Sequence, residues 1–173
     1  MADTKVPNLT ALTAPAAGDL LYIVDDPGGT PLDKKITAED LLSKTDYKTT
    51  WTPTIIGGTA AGTGTYTVQS GTYAKIANIV FLRAYLVWTA HTGTGLMRIA
   101  GLPFTPSTTA NVFQPMAVRF SDITLAAVGN KLQIYASPSV TSLVIEEVGS
   151  GAATNVSIDT AGAIMFSGFY FVD

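Results

Sequence analysis

No cysteine occurs in the 173 residues, and histidine occurs once, as His91. Without thiols the chain has no disulfide framework, no thiolate nucleophile, no thiolate zinc site and no Cys-ligated iron–sulfur cluster. Charge is also scarce: Asp, Glu, Lys and Arg fill 13% of positions, against about 25% in an ordinary soluble domain. Thirteen acids and ten bases leave a net charge of −3. Clustered Lys and Arg are missing, so there is no electrostatic footprint for nucleic acid or anionic lipid. Long apolar runs are missing too. A membrane-crossing helix needs about 20 apolar residues, whereas the stretch from Thr160 to Val172 is short and contains Gly162, Ser167 and Gly168. With no basic region followed by an apolar core at the N-terminus, the expectation is a soluble protein made in the cytoplasm, with no nucleic-acid partner and no membrane insertion.

The charge that is present is unevenly spread. Residues 1–48 hold eight acids and five lysines, while residues 49–173 hold five acids and five bases among 125 positions. The vocabulary switches near Lys48 to Thr, Gly, Ser, Ala and aromatics, which predicts a small module over 1–48 and a larger domain over 49–173. A domain so poor in charge yet so apolar has little to keep it monomeric, and part of its surface is expected to be covered by copies of itself or by a partner.

In the first module, Asp19 to Asp25 reads as a strand ended by Asp26-Pro27-Gly28-Gly29, a turn in which Pro fixes φ and Gly permits φ > 0. Leu32 to Ile36 completes a β-hairpin. Thr37 stands three residues before Asp40, a capping-box-like start for a short helix over Ala38 to Ser43. Two strands and two helical turns bury little by themselves, so this module is expected to fold against a neighbour. Asp25, Asp26 and Asp33 offer hard oxygen ligands, but their spacing is not that of an EF-hand, and an ordinary turn accounts for them.

From Tyr66 onward, short β-branched and aromatic runs alternate with Gly, Pro, Asn and Ser clusters, the pattern of an all-β sandwich or barrel. Strands are predicted over 65–69, 72–77, 79–89, 95–100, 112–120, 123–126, 131–136, 142–148, 153–158 and 163–172. In the long run Val80, Leu82, Ala84, Leu86 and Trp88 share one face and Phe81, Arg83, Tyr85 and Val87 the other. Both faces carry apolar groups, so this strand is expected to be buried on both sides, by its own core and by a second sheet or subunit. Ile164, Phe166 and Tyr170, opposite Met165, Phe169 and Phe171, read the same way.

Catalytic chemistry is poorly provided for. His91 lies in Thr89-Ala90-His91-Thr92-Gly93 without a Gly-x-Ser-x-Gly elbow, so no serine is singled out and a polar loop residue is the simpler reading. Glu146 and Glu147 are adjacent, and adjacent strand residues point to opposite faces, so the pair does not flank one glycosidic bond. Gly57 to Thr65 is glycine-rich but lacks the Gly-Lys-Ser/Thr ending of a phosphate loop. Trp88 belongs to an apolar strand face, and Trp51 is expected to pack between modules. The chain is therefore expected not to be an enzyme, with no catalytic residue, no cofactor and no metal.

Two stretches resemble a known group. Leu9-Thr10-Ala11-Leu12, Gly18-Asp19-Leu20-Leu21, Asp25-Asp26 and Lys34-Lys35-Ile36-Thr37-Ala38-Glu39-Asp40-Leu41-Leu42 are similar to small modules near the N-termini of tailed-phage fibre and appendage proteins. Trp51-Thr52-Pro53-Thr54, Gln69-Ser70-Gly71-Thr72-Tyr73-Ala74-Lys75-Ile76-Ala77-Asn78-Ile79-Val80 and Gly101-Leu102-Pro103-Phe104 resemble the β-sandwich heads of phage tail fibres. Such heads often carry Gly where Ala77 precedes Asn78, and a turn needing φ > 0 disfavours Ala. The resemblance covers most of the chain. It implies a mainly β fold, with a C-terminal antiparallel, jelly-roll-like β-sandwich after a small hairpin-plus-helix module. It also implies a homotrimeric virion component, a short fibre or spike-type appendage that attaches to a host-surface glycan or protein.

On that reading residues 1–48 dock on other virion proteins, with Leu20, Tyr22, Val24, Ile36, Leu41 and Leu42 as candidates. The trimer interface takes Phe81, Tyr85, Val87, Phe169 and Phe171. The receptor-facing loops offer His91, Thr92, Thr94, Ser107, Thr108, Asn111, Ser137 and Ser139. The rival roles are a capsid decoration or cement protein, a head or collar fibre, and a surface-glycan hydrolase.

Overall fold

The structure is a computed structural model and describes residues 16, 18–25, 32–37 and 49–173. The chain divides into two compact units, Met1–Thr45 and Asp46–Asp173. In the first, β1 (Leu20–Asp25) pairs antiparallel with β2 (Leu32–Thr37), from Leu20 opposite Thr37 to Asp25 opposite Leu32. The Asp19 carboxylate accepts the Ala16 N–H at 2.7 Å at the entry to β1. The Asp26–Gly29 turn and the helix expected over Ala38–Ser43 lie outside the described residues, as does the side-chain placement of Asp25 and Asp33.

The second unit is built from β3 (Thr49–Trp51), β4 (Thr54–Gly57), β5 (Gly64–Ile76), β6 (Ile79–His91), β7 (Met97–Ala100), β8 (Gln114–Ser121), β9 (Lys131–Ala136), β10 (Leu143–Val148), β11 (Thr154–Asn155) and β12 (Gly162–Phe171). They form one ten-stranded sheet in the order β3-β5-β6-β12-β8-β9-β10-β7-β4, with β11 added to β10. Every pairing is antiparallel. The strand pattern leads to the expectation of an all-β sandwich or barrel, and the mainly β, antiparallel part of that expectation is what the structure has. Hydrogen bonding runs without interruption from one half to the other through β8, whose residues 117–121 pair with β12 and whose residues 114–116 pair with β9. The sheet thereby curls over its own core as a half-barrel. Among the described residues there is no helix, and hence none long and apolar enough to cross a membrane.

Alternation sets the inside. Val80, Leu82, Ala84, Leu86 and Trp88 of β6 face Ile164, Phe166 and Tyr170 of β12 and Ile134, Leu143 and Ile145 of the other half in one buried cluster. Buried polar tips find partners, as desolvation demands: the Trp88 indole N–H donates to the Asp159 carbonyl at 3.0 Å, and the Tyr170 hydroxyl to the Phe104 carbonyl at 2.9 Å. Trp51, expected between modules, lies in this core with its ring over Gly71. A Cβ on Gly71 would meet the indole nitrogen at 2.5 Å.

Strand β5 runs through the Ser70-Gly71 pair that was expected to divide it, with Ser70 opposite Tyr85 and Gly71 opposite Ala84, and its register shifts twice nearer its start, between Thr65 and Tyr66 and between Tyr66 and Val68. Tyr66 pairs with Trp88 and Val68 with Val87, leaving Thr67 as the extra residue. The bulge restores an alternation in which Tyr66, Gln69, Gly71 and Tyr73 stand opposite core residues of β6. The segment 123–126 is not a strand. Its backbone is held by carboxylates instead, Thr124 N–H donating to Asp159 at 2.6 Å and Ala126 N–H to buried Glu147 at 2.7 Å.

The strands at the two ends of the sheet order, β3 and β4, are separated in sequence only by Thr52 and Pro53. Side chains bridge the seam between β4 and β5–β6. Tyr66 Oη accepts the Ile55 N–H at 2.7 Å, Gln69 Nε2 donates to the Pro53 carbonyl at 2.9 Å, and His91 Nε2 lies 2.9 Å from the Ile55 carbonyl.

Candidate functional site

The outer face of β5, β6, β12 and β8 is fixed by the same register that builds the core. Phe81 stands opposite Phe169, Tyr85 opposite Met165, Val87 opposite Ala163 and Ile79 opposite Phe171. Beyond them Ala74 pairs with Phe81, and Arg119 with Met165. Phe81 and Phe169 pack with ring centroids 6.1 Å apart, and Phe169 meets Phe171 edge-on at 5.8 Å. Such aromatic contacts add to the area they bury. These groups remain open in the single chain: Phe81 is 44% exposed, Tyr85 39%, Met165 41% and Phe169 41%. Within the single chain this strand is covered on one face, by its own core, and the other face is open.

The outer face carries two shallow grooves. One, of about 520 Å³, runs between Ser70, Thr72, Tyr85, Arg119 and Met165. The other lies beside Phe81 and Phe169. Between them Arg83 is held by its Nε donating to Thr72 Oγ1 at 2.9 Å. All five interface candidates from the sequence share this face. Met165, which alternation already set on one face with Phe169 and Phe171, joins them opposite Tyr85.

The loop candidates are dispersed. His91 is not an exposed loop residue: it ends β6 and is 8% exposed. Its Nδ1 accepts the Gly93 N–H at 2.9 Å, which leaves Nε2 to donate to the Ile55 carbonyl. Ser107 is also buried, donating to the Asp173 carboxylate at 2.6 Å, while Thr108 donates to the same carboxylate from N at 3.0 Å and Oγ1 at 2.7 Å. The Ser107 contact first, then the two from Thr108, hold the Asp173 carboxyl below its ordinary range. Thr92 and Thr94 are exposed beside the 57–63 loop, Thr92 Oγ1 accepting the Thr63 N–H at 3.0 Å. Asn111 and Ser139 are exposed with φ of 65° and 59°, and Ser137 is half-buried. Ser139 N–H reaches the Ser107 carbonyl at 3.2 Å, so the 107 and 139 loops adjoin, whereas the His91 to Thr94 loop has its own neighbours.

Of the docking candidates, Leu20 is 58% exposed and Ile36 half-buried. Register pairs Leu20 with Thr37 and Leu21 with Ile36, so Leu20 and Ile36 occupy alternate positions of the hairpin. Tyr22 and Val24 lie on β1, and Leu41 and Leu42 lie outside the described residues.

Among the described residues no three His, Asp or Glu side chains gather in a way that could hold a metal ion. Glu146 and Glu147 diverge as adjacent strand residues should. Glu147 is buried, bonded to Ala126 and to Thr154, while half-buried Glu146 bonds Gln133 and Tyr135.

No protein-family model matches the chain, and no curated protein matches it in sequence. A solved structure does share its fold: the crystal structure of the Dettilon tailspike protein, with a TM-score of 0.57 and 15% sequence identity, over 72% of this chain and 23% of that one.

Proposed function

We propose that the chain is a virion appendage of a tailed phage, of the short fibre or spike type, non-enzymatic and homotrimeric. Residues 1–48 dock it on other virion proteins, and the β-sheet unit is a head that attaches to the host surface. In this reading the curled sheet is a β-sandwich whose two layers are joined through β8. The observation that carries it is the aromatic strip of β6 and β12. A strip of this kind on a domain with ten charges in 125 residues calls for a covering surface, and closed rotational symmetry lets identical copies cover one another. A shared fold with a tailspike supports a place on the particle. Three linked heads raise the effective concentration of the second and third contacts, which converts weak binding of a host glycan or protein into useful avidity.

Particles lacking the protein test this reading. They are expected to adsorb poorly while their heads withstand heat and osmotic shock as before. Normal adsorption with capsids that burst at lower temperature would overturn it in favour of a decoration or cement protein.

A further inference from the structure

The other half of the sheet presents a different outer face. In β10 the positions Leu143, Ile145 and Glu147 are buried, and half-buried Glu146 stands on the opposite side. Register sets Gln133 of β9 and Asn155 of β11 on either side of Glu146, sets Tyr135 and Arg98 on either side of Val144, and puts Pro115 beyond Tyr135. Glu146 Oε1 accepts the Tyr135 hydroxyl at 2.9 Å and Oε2 accepts Gln133 Nε2 at 2.9 Å. Phe113, 55% exposed, meets the Tyr135 ring edge-on at 6.0 Å. Burial, and then the bond to Glu146 and its charge, raise the Tyr135 phenol above its ordinary range, with Arg98 pulling the other way.

We infer that this face is a carbohydrate platform that takes a neutral pyranose of a bacterial surface glycan. The inference rests on the host-attachment reading and locates the contact. Tyr135 spends its one donor on Glu146 and Gln133 one of its two, so the phenol and amide oxygens stay available as acceptors beside one remaining amide N–H, and the carboxylate keeps lone pairs beyond the two it has used. Acceptors held by one another lose little freedom on binding. A fixed set of acceptors selects a ligand rich in donors, which hydroxyl groups supply. A carboxylate at the centre repels an acidic polymer, and Arg98 adds donors at one side. The open Phe113 ring matches the apolar C–H face of a ring sugar. A peptide strand has no place to add here, because β10 is paired with β9 along one edge and with β7 and β11 along the other.

The test uses the full-length protein on immobilised neutral and anionic bacterial polysaccharides, with host-cell binding measured alongside. Neutral polysaccharides are expected to retain the protein and anionic ones not. Phe113→Ala and the near-isosteric Glu146→Gln, which still accepts from Tyr135, are each expected to weaken retention at least tenfold with unchanged thermal unfolding curves. Retention by no neutral polysaccharide, or by both variants as by the parent, would overturn the platform. If the parent and both variants bind cells equally, the attachment reading survives with its contact elsewhere. If sugar binding is present and sensitive to both substitutions while cells are not bound, the platform stands and the attachment reading falls.

Discussion

Ala77 is the first central residue of the two-residue turn between Ile76 and Ile79, and its φ is 51°. Hairpins of this length want positive φ at that position, normally from glycine, and a Cβ there costs about 1–2 kcal/mol. Ala77→Gly is therefore expected to stabilise the domain by about 1 kcal/mol, less whatever glycine's freedom in the unfolded chain takes back. For a domain of this size that raises Tm by about 3 °C, read by calorimetry; a lowered Tm would contradict the account. Tyr170 is the matching case for pH. Burial first, opposed by its bond to the Phe104 carbonyl and aided by Tyr73, pushes its phenol up to about 12 from 10.0. The folded state thus holds this proton more tightly than the unfolded state. Its contribution is complete below about pH 10 and is lost as pH rises toward about 12. Alkaline titration followed at the tyrosinate absorbance should show a late-ionising group that disappears in Tyr170→Phe.

At the scale of elements, the weakest join is the seam at β4, where side chains replace a ladder on one edge. Tyr66→Phe removes the acceptor of the Ile55 N–H and is expected to cost about 1–3 kcal/mol, the penalty of an unsatisfied buried donor, measured by denaturant unfolding. An unchanged midpoint would mean that the seam contributes nothing. Burial pushes the Tyr66 phenol up as well, with the Ile55 bond opposing it, so the bridge stays protonated at neutral pH. This seam also marks where the sequence stops being readable. The alternation of β6 and β12 is long and period two, so their faces are legible residue by residue. β3 and β4 have three and four residues and exist through pairing with distant strands, which no local pattern encodes. The continuity of β5 was hidden by Ser70-Gly71, a pair that reads as a turn and lies inside the strand. His91 reads as a loop residue among Thr and Gly, and only the approach of β4 across the seam turns it into a buried clasp.

Across the sheet of the second unit the two outer faces differ in chemistry: the β5–β6–β12–β8 face presents open apolar side chains, and the β9–β10–β7 face carries a hydrogen-bonded polar group around Glu146. The aromatic positions of the first were legible from alternation. The second was not, because Phe113, Tyr135, Glu146 and Arg98 come from four separate segments that only the register brings together. Copies of the chain are expected to cover the apolar face, and light scattering of the purified full-length protein at micromolar concentration decides whether they do. A single species of about 54 kDa is expected, three times the 18.1 kDa chain, which Phe81→Asp together with Phe169→Asp returns to monomer with its β-sheet circular dichroism intact. A monodisperse 18.1 kDa parent protein would contradict it.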